Sequence, residues 1–107
     1  MSADTLMILS TTFPDRQAAE KVAHLMVDAG LAVCAQVGAD LTSFYRWEGV
    51  LQKDTEVAVS FKIRGERFDL FCGELNLQHP YDVPQMLAWP AVYVNPAYAD
   101  WAQGKGE

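Results

Sequence analysis

The chain has few basic residues and no cluster of them. Its 107 residues include 8 Lys and Arg against 14 Asp and Glu, which gives a formal net charge of −6. Proteins that bind nucleic acid present clustered Lys and Arg side chains to the phosphates. The charge balance therefore predicts that this protein does not bind nucleic acid and that its surface attracts cations weakly.

Long apolar runs and cysteine-rich motifs are also missing. The apolar run Leu6–Leu9 is far too short for a membrane span or for the apolar part of a signal peptide. The two cysteines, Cys34 and Cys72, match neither a CxxC motif nor a framework of several disulfides. These features predict a reduced cytoplasmic protein that makes no membrane contact.

Motifs that carry common catalytic chemistry are absent too. The sequence has no Ser/His/Asp set at a known spacing, no glycine loop for phosphates and no paired zinc motif. It also has no repeat or linker, and half of its residues are apolar. We expect a protein that is not an enzyme and that folds as one domain over residues 1–107.

The first third of the chain alternates between strand-like and helix-like patterns. Thr5–Thr12 is apolar and β-branched, which predicts a buried strand. Pro14–Asp15 then begins a helix that ends near Gly30, and His24 lies on its polar face toward solvent. The apolar positions of this helix are Ala19, Val22, Ala23 and Met26.

A long hairpin follows the first helix. A strand resumes at Leu31–Val37, passes a bulge or bend at Gly38 and continues to Trp47. Glu48–Gly49 forms a tight turn, and the return strand alternates apolar and polar residues up to Ile63. Both strands greatly exceed the usual length of about five or six residues.

A second helix and a fourth strand complete the sheet. The helix carries an apolar stripe that includes Cys72, where a thiol packed in the core is the expected state, and it ends at His79-Pro80. Val83–Val94 is the fourth strand, which its prolines restrict to an edge or a bend. Asn95-Pro96 begins a short C-terminal helix, and Tyr98 and Trp101 form its apolar face.

The order of these elements predicts the fold class. A β-α-β-β-α-β order with a further C-terminal helix is typical of an α+β, ferredoxin-like fold with an antiparallel sheet. Both main helices are then expected on one face of that sheet.

Four ordered motifs resemble one family. They read STTFPDRQAAEKVAHLMVDAGLAVCAQV, TSFYRWEGVLQKDTEVAVSFKI, HPYDVPQM and NPAYADWA. They are similar to the CutA family of divalent-cation tolerance proteins from about Leu6 to Trp101. The resemblance implies a ferredoxin-like protomer, a tight homotrimer, and a cytoplasmic role in tolerance of divalent metals, with copper named most often. The alternative is a signalling module that binds small molecules or proteins, because PII-type nitrogen regulators share the trimeric ferredoxin-like fold.

His79 has a structural and a functional interpretation. In the structural one, it closes the second helix and its ring bonds a backbone carbonyl or a neighbouring subunit. In the functional one, its imidazole binds Cu²⁺ or another divalent cation, although only Tyr81 and Asp82 offer oxygen donors nearby.

The resemblance implies an incomplete copper site. In some copper-binding members the proposed ligands are a cysteine at the end of the first strand and two consecutive histidines. Ser10 and Thr11 stand at that strand end here, and Gln78 replaces the first histidine, so only His79 matches. No cofactor is required, and any metal affinity is expected to be modest.

Cys34 also has two interpretations. It sits in an apolar strand, where a thiol usually packs in the core. If it is exposed with a lowered pKa, it instead binds a metal or is oxidised. The favoured interpretation is core packing, and a metal-binding role is the alternative.

The hairpin carries a further candidate cluster. The resemblance makes Tyr45, Trp47, Glu56 and Lys62 part of the family signature, and Tyr81 is placed with them. A lysine and a carboxylate beside aromatic rings can bind a small anionic ligand in a cleft between subunits. They can equally form ion pairs and packing at a subunit interface.

Association is expected from the hairpin itself. Two helices of ordinary length cannot cover strands of this length, so the outer half must extend past the core. That half carries Phe44, Tyr45 and Trp47, too much aromatic surface for a stable monomer to expose. Strands of a partner subunit can pair with the free backbone groups at its edges, and the family resemblance implies three subunits.

Overall fold

A four-stranded antiparallel sheet with two helices packed on one face forms the core of the protein. The computed structural model describes residues 5–104. The elements are β1 (Leu6–Phe13), α1 (Arg16–Asp28), β2 (Cys34–Trp47), β3 (Val50–Arg64), a 3₁₀ turn (Gly65–Arg67), α2 (Phe68–Gln78), β4 (Leu87–Pro90) and α3 (Pro96–Ala102). The strands lie in the order β2-β3-β1-β4 and every pairing is antiparallel. The predicted α+β class and βαββαβ order are confirmed, and the prediction of one domain over 1–107 reaches beyond the described residues at both ends.

The core lies between the central strands and the two long helices. Strand alternation places Leu9 opposite Phe61 and Thr11 opposite Val59 on the buried face. The ring of Phe61 on β3 meets the ring of Phe71 on α2 edge to face, with centroids 4.9 Å apart. Burying a ring of this size stabilises the fold by about 1.5–3 kcal/mol.

Side-chain caps begin α1 and α3 where the sequence predicts them. The Asp15 carboxylate accepts a hydrogen bond from the backbone N–H of Ala18 at 2.8 Å. The Asn95 side chain accepts one from the backbone N–H of Ala97 at 3.2 Å, with Pro96 in the first helical turn. Each cap satisfies a backbone donor that has no partner within its helix, which is worth about 1 kcal/mol.

The hairpin of β2 and β3 protrudes from this core. β3 pairs with β1 over positions 57–64, whereas positions 50–56 have only β2 as a partner within residues 5–104. Glu48 and Gly49 both have positive φ, 49° and 80°, as a two-residue type I′ turn requires. The protein measures 48 × 25 × 24 Å, and its Cα radius of gyration of 14.8 Å exceeds the roughly 13 Å expected of a compact chain this long.

The predicted bulge in β2 is confirmed. The β2–β3 register shifts between Val37 and Asp40. A Cβ at Gly38 would lie 3.3 Å from the carbonyl oxygen of Ala58, so a larger residue there would crowd β3. Arg16, at the start of α1, donates to the Gly38 carbonyl at 2.9 Å and pairs with the Asp40 carboxylate at 3.3 Å. The bulge is therefore tied to the helix that packs behind it.

The fourth strand is shorter than predicted. The sequence indicated a strand over Val83–Val94, but only Leu87–Pro90 pairs with β1. Pro84 and Pro90 have no N–H to donate, and Pro90 is the last paired residue. One further backbone bond, from Ala91 N–H to the Leu6 carbonyl at 2.9 Å, holds the chain beside the sheet.

The second strand also begins later than predicted, at Cys34 rather than at Leu31. Gly30, with φ of 74°, turns the chain at the end of α1. The backbone N–H groups of Leu31 and Ala32 then both donate to the Met26 carbonyl, at 3.0 and 3.1 Å. Bonds that complete the helix end are unavailable to a sheet, so the strand starts after them.

Candidate functional site

His79 is a buried ring with both nitrogens engaged. It follows α2, is only 7% exposed, and stacks on Phe13 with centroids 4.4 Å apart. Its Nδ1 accepts the backbone N–H of Tyr81 at 3.1 Å. A backbone N–H can only donate, so the proton of the neutral ring resides on Nε2. Nε2–H donates to the Thr12 carbonyl at 2.9 Å and lies 3.2 Å from Thr11 Oγ1.

The surroundings of His79 favour its neutral form. Burial lowers the pKa of His79 below its ordinary value of 6.5, against smaller opposing effects of the Thr12 carbonyl and the Glu56 charge. A proton on Nδ1 would also point at the Tyr81 N–H, and Nδ1 could then no longer accept the hydrogen bond from that group. The structural interpretation of the sequence analysis thus describes the ring in this chain: it closes α2 and bonds a backbone carbonyl.

The turn at His79 positions a hydrogen-bonded cluster. The Tyr81 hydroxyl donates to Glu56 Oε2 at 2.8 Å, and the Thr12 hydroxyl donates to the same oxygen at 3.1 Å. Burial and the bond to Glu56 raise the pKa of Tyr81 far above its usual value. Tyr81 therefore keeps its proton, and the Glu56 carboxylate is held by residues from β1 and from the segment after α2.

A cleft of about 790 Å³ opens beside this cluster. Aromatic rings of the hairpin form one side, and the segment after α2 forms the other. The lining residues are Thr12, Ser43, Phe44, Tyr45, Trp47, Gln52, Glu56, Pro80, Tyr81, Asp82, Val83 and Gln85. The Tyr45 hydroxyl donates to Asp54, and this bond raises the pKa of Tyr45. Among residues 5–104, the cleft is lined by two carboxylates and by no Lys or Arg.

Lys62 lies away from the cleft. It follows Glu56 by six positions on β3, which at about 3.3 Å per residue separates the two by roughly 20 Å. It sits opposite Cys34 on β2 and donates to the Gln36 side chain. The structure brings Tyr45, Trp47, Glu56 and Tyr81 together within one chain but does not bring Lys62 to them.

Cys34 is not a core residue, contrary to the favoured expectation. It pairs with Lys62, so both side chains lie on the sheet face away from α1 and α2, and Cys34 is half-buried. The next residue, Ala35, pairs with the buried Phe61 and takes the core side. Burial raises the pKa of Tyr98 in α3, and the adjacent Cys34 thiol raises it further. A strand alternates its faces, and the apolar run LAVC alone does not reveal which residue faces the helices.

Cys72 matches its expectation more closely. It is partly buried on α2 and packs against the core, and burial raises the pKa of its thiol. A raised pKa lowers the fraction of reactive thiolate, so this cysteine is a packing residue.

The donors of one chain do not form a closed metal site. Cys34 lies opposite Lys62, whereas Thr12, which contacts His79, lies opposite Ala58. These points on β3 are four residues, or about 13 Å, apart. No group of three or more His, Cys, Asp or Glu side chains converges in the described part of the chain. The metal-ligand roles of His79 and Cys34 remain predictions.

Two partners in the cluster were not identified from the sequence. Thr12 binds Glu56 across 44 residues, and Asp54 binds Tyr45 across the hairpin. Counting outward from the Glu48–Gly49 turn pairs position 47 with 50, 45 with 52 and 43 with 54. That count would have placed Asp54 near Tyr45, whereas Thr12 lies on another strand and no local pattern indicates its contact.

The chain matches a known protein family over most of its length. The family model described as CutA1 divalent ion tolerance protein matches residues 7–105. The chain belongs to the CutA1 family. This confirms the resemblance found in the four sequence motifs.

Individual CutA proteins support the assignment. The divalent-cation tolerance protein CutA of Pyrococcus horikoshii is 34% identical over 96 residues, which cover 90% of this chain and 93% of that protein. The structure of CutA from Synechococcus elongatus superposes with a TM-score of 0.90 at 33% identity, covering 100% of this chain and 95% of that one.

Some CutA relatives are considerably longer than this chain. The chloroplastic CutA of Arabidopsis thaliana is 32% identical over 95 residues, which are 89% of this chain but 52% of that protein. The corresponding share of the Xenopus laevis CutA homolog is 60%. The matched region is therefore a little over half of these relatives. Within residues 5–104, no helix has the length and apolar character that a membrane crossing requires.

Proposed function

We propose that this CutA1-family chain acts in divalent-cation tolerance as a trimeric binding protein without catalytic activity. The observation that carries the proposal is the family match over residues 7–105. The proposed compartment is the cytoplasm, since Cys34 and Cys72 are both free thiols, as is usual in a reducing environment.

The exposed hairpin supports assembly. Large apolar side chains on its outer half are accessible in the single chain, with Phe44 65% and Trp47 53% exposed. The full set on the hairpin is Leu41, Phe44, Tyr45, Trp47, Val50 and Leu51. Leu87 and Trp89 on β4 are exposed as well, on the sheet face away from α1 and α2. Contiguous surface of this kind is typical of a subunit contact.

Metal binding by the chain itself is proposed to be modest. A divalent cation at His79 Nδ1 would have to replace the hydrogen bond from the Tyr81 N–H. In the described residues, this ring belongs to no group of three or more His, Cys, Asp or Glu side chains that could hold a metal ion. Cu²⁺ is the ion that the family resemblance implies, and one nitrogen ligand binds it weakly.

Copper titration tests the role of His79. We expect weak Cu²⁺ binding by isothermal titration calorimetry, which is weakened further in His79→Ala and unchanged in His24→Ala, because His24 is exposed on α1. His79→Gln, which keeps a polar side chain at this buried position, serves as a second variant. If His79→Ala and His79→Gln both bind Cu²⁺ as the wild type does, His79 has no role in metal binding.

Catalysis by the cleft is not expected. Both nitrogens of His79 are hydrogen-bonded, Tyr81 keeps its proton, and one oxygen of Glu56 accepts hydrogen bonds from two hydroxyls. We expect the purified protein to turn over no ester, phosphate or peptide substrate in standard chromogenic assays. Activity that survives further purification and disappears in Glu56→Gln or Tyr45→Phe would show that the cleft is an active site.

The cleft favours a second candidate function. A volume of about 790 Å³ lies within the range of roughly 300–1,000 Å³ that is usual for small-molecule sites. A PII-like module that binds a small molecule or a protein would use such a space. Equilibrium dialysis of the assembled protein against Cu²⁺, Zn²⁺ and a set of nucleotides separates the two candidates by which ligand is retained.

A further inference from the structure

The outward face of α2 carries residues that are unusual for a helix exposed to solvent. Leu70 and Leu77 are 62% and 78% exposed. Gly73 lies between them in the helix interior, where glycine weakens a helix relative to alanine. Its φ is not positive, and a Cβ there would meet nothing within 4 Å in the described part of the chain, so neither conformation nor packing requires glycine. Departures from the local rules of folding are expected where a surface has a function.

These residues form a hole that fits one side chain of another helix. Leu70, Gly73, Glu74 and Leu77 stand at positions i, i+3, i+4 and i+7, which surround one point on a helix surface. In helix–helix packing, four such residues receive one side chain of the facing helix. The two leucines are about 10.5 Å apart along the axis, and the missing side chain of Gly73 leaves the floor of the hole open. We infer that this face of α2 binds an amphipathic helix of a partner protein, with an apolar stripe flanked by Lys and Arg.

The charge around the hole is the reason for a basic partner. Glu74 forms one wall, where Gln78 donates to its carboxylate at 2.8 Å, and Asp69 is exposed beside Leu70. In the described chain, the charged side chains of α1, the 3₁₀ turn and α2 that lie outside ion pairs are four carboxylates and two cations: Glu20, Asp28, Asp69 and Glu74, with Lys21 and Arg67. A partner therefore gains attraction by placing Lys or Arg beside its apolar stripe, as coiled-coil helices do at the positions that flank their seam.

The same charges disfavour a second copy of this chain as the occupant. Glu74 lies near the middle of the hole, so a two-fold contact centred there would bring two Glu74 carboxylates together. Like charges placed opposite each other destabilise a contact between helices. The formal net charge of −6 per chain adds to that repulsion.

This face stays open in the assembly proposed above. Phe71 and Leu75 of α2 are fully buried against the sheet, so the hole lies on the opposite side of the helix. The proposed subunit contact uses the hairpin and the sheet face away from α1 and α2. Association through those regions leaves the residues and the charges around the hole as they are in one chain.

Three labelled peptides test the chemistry of the partner. The probe is a helical peptide of roughly 20 residues, with leucine at the heptad positions a and d and lysine beside them. One control peptide has glutamate in place of lysine, and the other has the lysine composition in a scrambled order without an apolar stripe. We expect the lysine peptide to bind the full-length assembled protein in fluorescence anisotropy. Both control peptides should bind at least about tenfold more weakly.

Variants of α2 connect the binding to the hole. Gly73→Gln fills the hole with a neutral side chain, and it should fold at least as stably as the wild type, because glutamine favours a helix and the space is open. It should weaken binding of the lysine peptide about tenfold. Asn76→Gln, at an exposed position of the same helix outside the hole, should bind as the wild type does. Glu74→Gln should reduce the dependence of the affinity on salt concentration.

The contrary outcomes are distinct from one another. Equal binding of the lysine peptide and either control would refute the proposed partner chemistry, and unchanged binding by Gly73→Gln would refute the site. Absence of binding by the wild type would refute both. Sedimentation should give the wild type and Gly73→Gln the same mass, and a larger species in the wild type alone would show that a second copy occupies this face. The trimer itself is tested separately, since Gly73 lies outside the proposed subunit contact.

Discussion

Trp47→Glu is expected to convert the assembled protein into smaller and less stable species. Trp47 directly precedes the Glu48–Gly49 turn of the hairpin, beyond the part of the hairpin where β3 pairs with β1. It is 53% exposed in the single chain, and it shares this outer half with other exposed aromatic side chains. A subunit contact that buries the rest of this ring gains about 2–3 kcal/mol from the lost apolar surface.

A glutamate at position 47 removes that gain and adds a cost. Taking an unpaired carboxylate out of water costs several kcal/mol, so each contact between subunits loses roughly a thousandfold or more in its dissociation constant. Sedimentation equilibrium at micromolar concentration measures the mass directly. The matched control is Leu70→Glu, because Leu70 is a similarly exposed apolar residue on α2, 62% accessible and away from the hairpin. A wild type that sediments as a monomer would refute both the trimer and the reasoning from the hairpin.

The stability of the protein is expected to decrease as the pH falls below about 6.5, because of His79. The pKa of this buried ring is lowered in the folded state, chiefly by burial, whereas the unfolded chain has the ordinary value of 6.5. The unfolded state therefore takes up a proton first as the pH drops below 6.5. The stabilising contribution of neutral His79 is complete above that value and is lost as the pH falls toward the folded pKa.

The loss has an upper limit and a matched control. One proton taken up only by the unfolded state lowers the free energy of unfolding by at most about 1.4 kcal/mol per pH unit. Urea unfolding at pH 7.5, 6.5 and 5.5, at one protein concentration, gives this slope. His24→Gln, at an exposed position on α1, should keep the slope, and His79→Gln should lose it. An unchanged slope in His79→Gln would show that another group titrates.

The local structure was largely determined by the sequence. Alternation from Val57 to Ile63 marked the buried face of β3, and Asp15 and Asn95 marked the starts of two helices. Glu48–Gly49 was the turn, and counting from it yields the hairpin register. Each of these features is decided by neighbours within a few residues, because backbone preferences, caps and strand alternation act over that range.

The extent of the edge strand and the face of Cys34 depended on tertiary contacts. β4 spans only Leu87–Pro90, because these are the residues that pair with β1, and the residues just before them form no such pairing. Cys34 lies on the face away from α1 and α2 because the register with β3 places it opposite Lys62. An apolar run is compatible with either face, and only the strand beside it selects one.

The composition of the candidate site was decided by the tertiary structure alone. Glu56 and Lys62 lie on the same face of β3 and were grouped as one cluster from the sequence. The extended strand between them nevertheless separates them by about 20 Å. His79 instead reaches Thr11 and Thr12, which lie 68 and 67 residues earlier, and Glu56 reaches Thr12 across 44. These contacts arise where β1, β3 and the end of α2 meet, and no short-range preference specifies that meeting, because it follows from how the helices pack on the sheet.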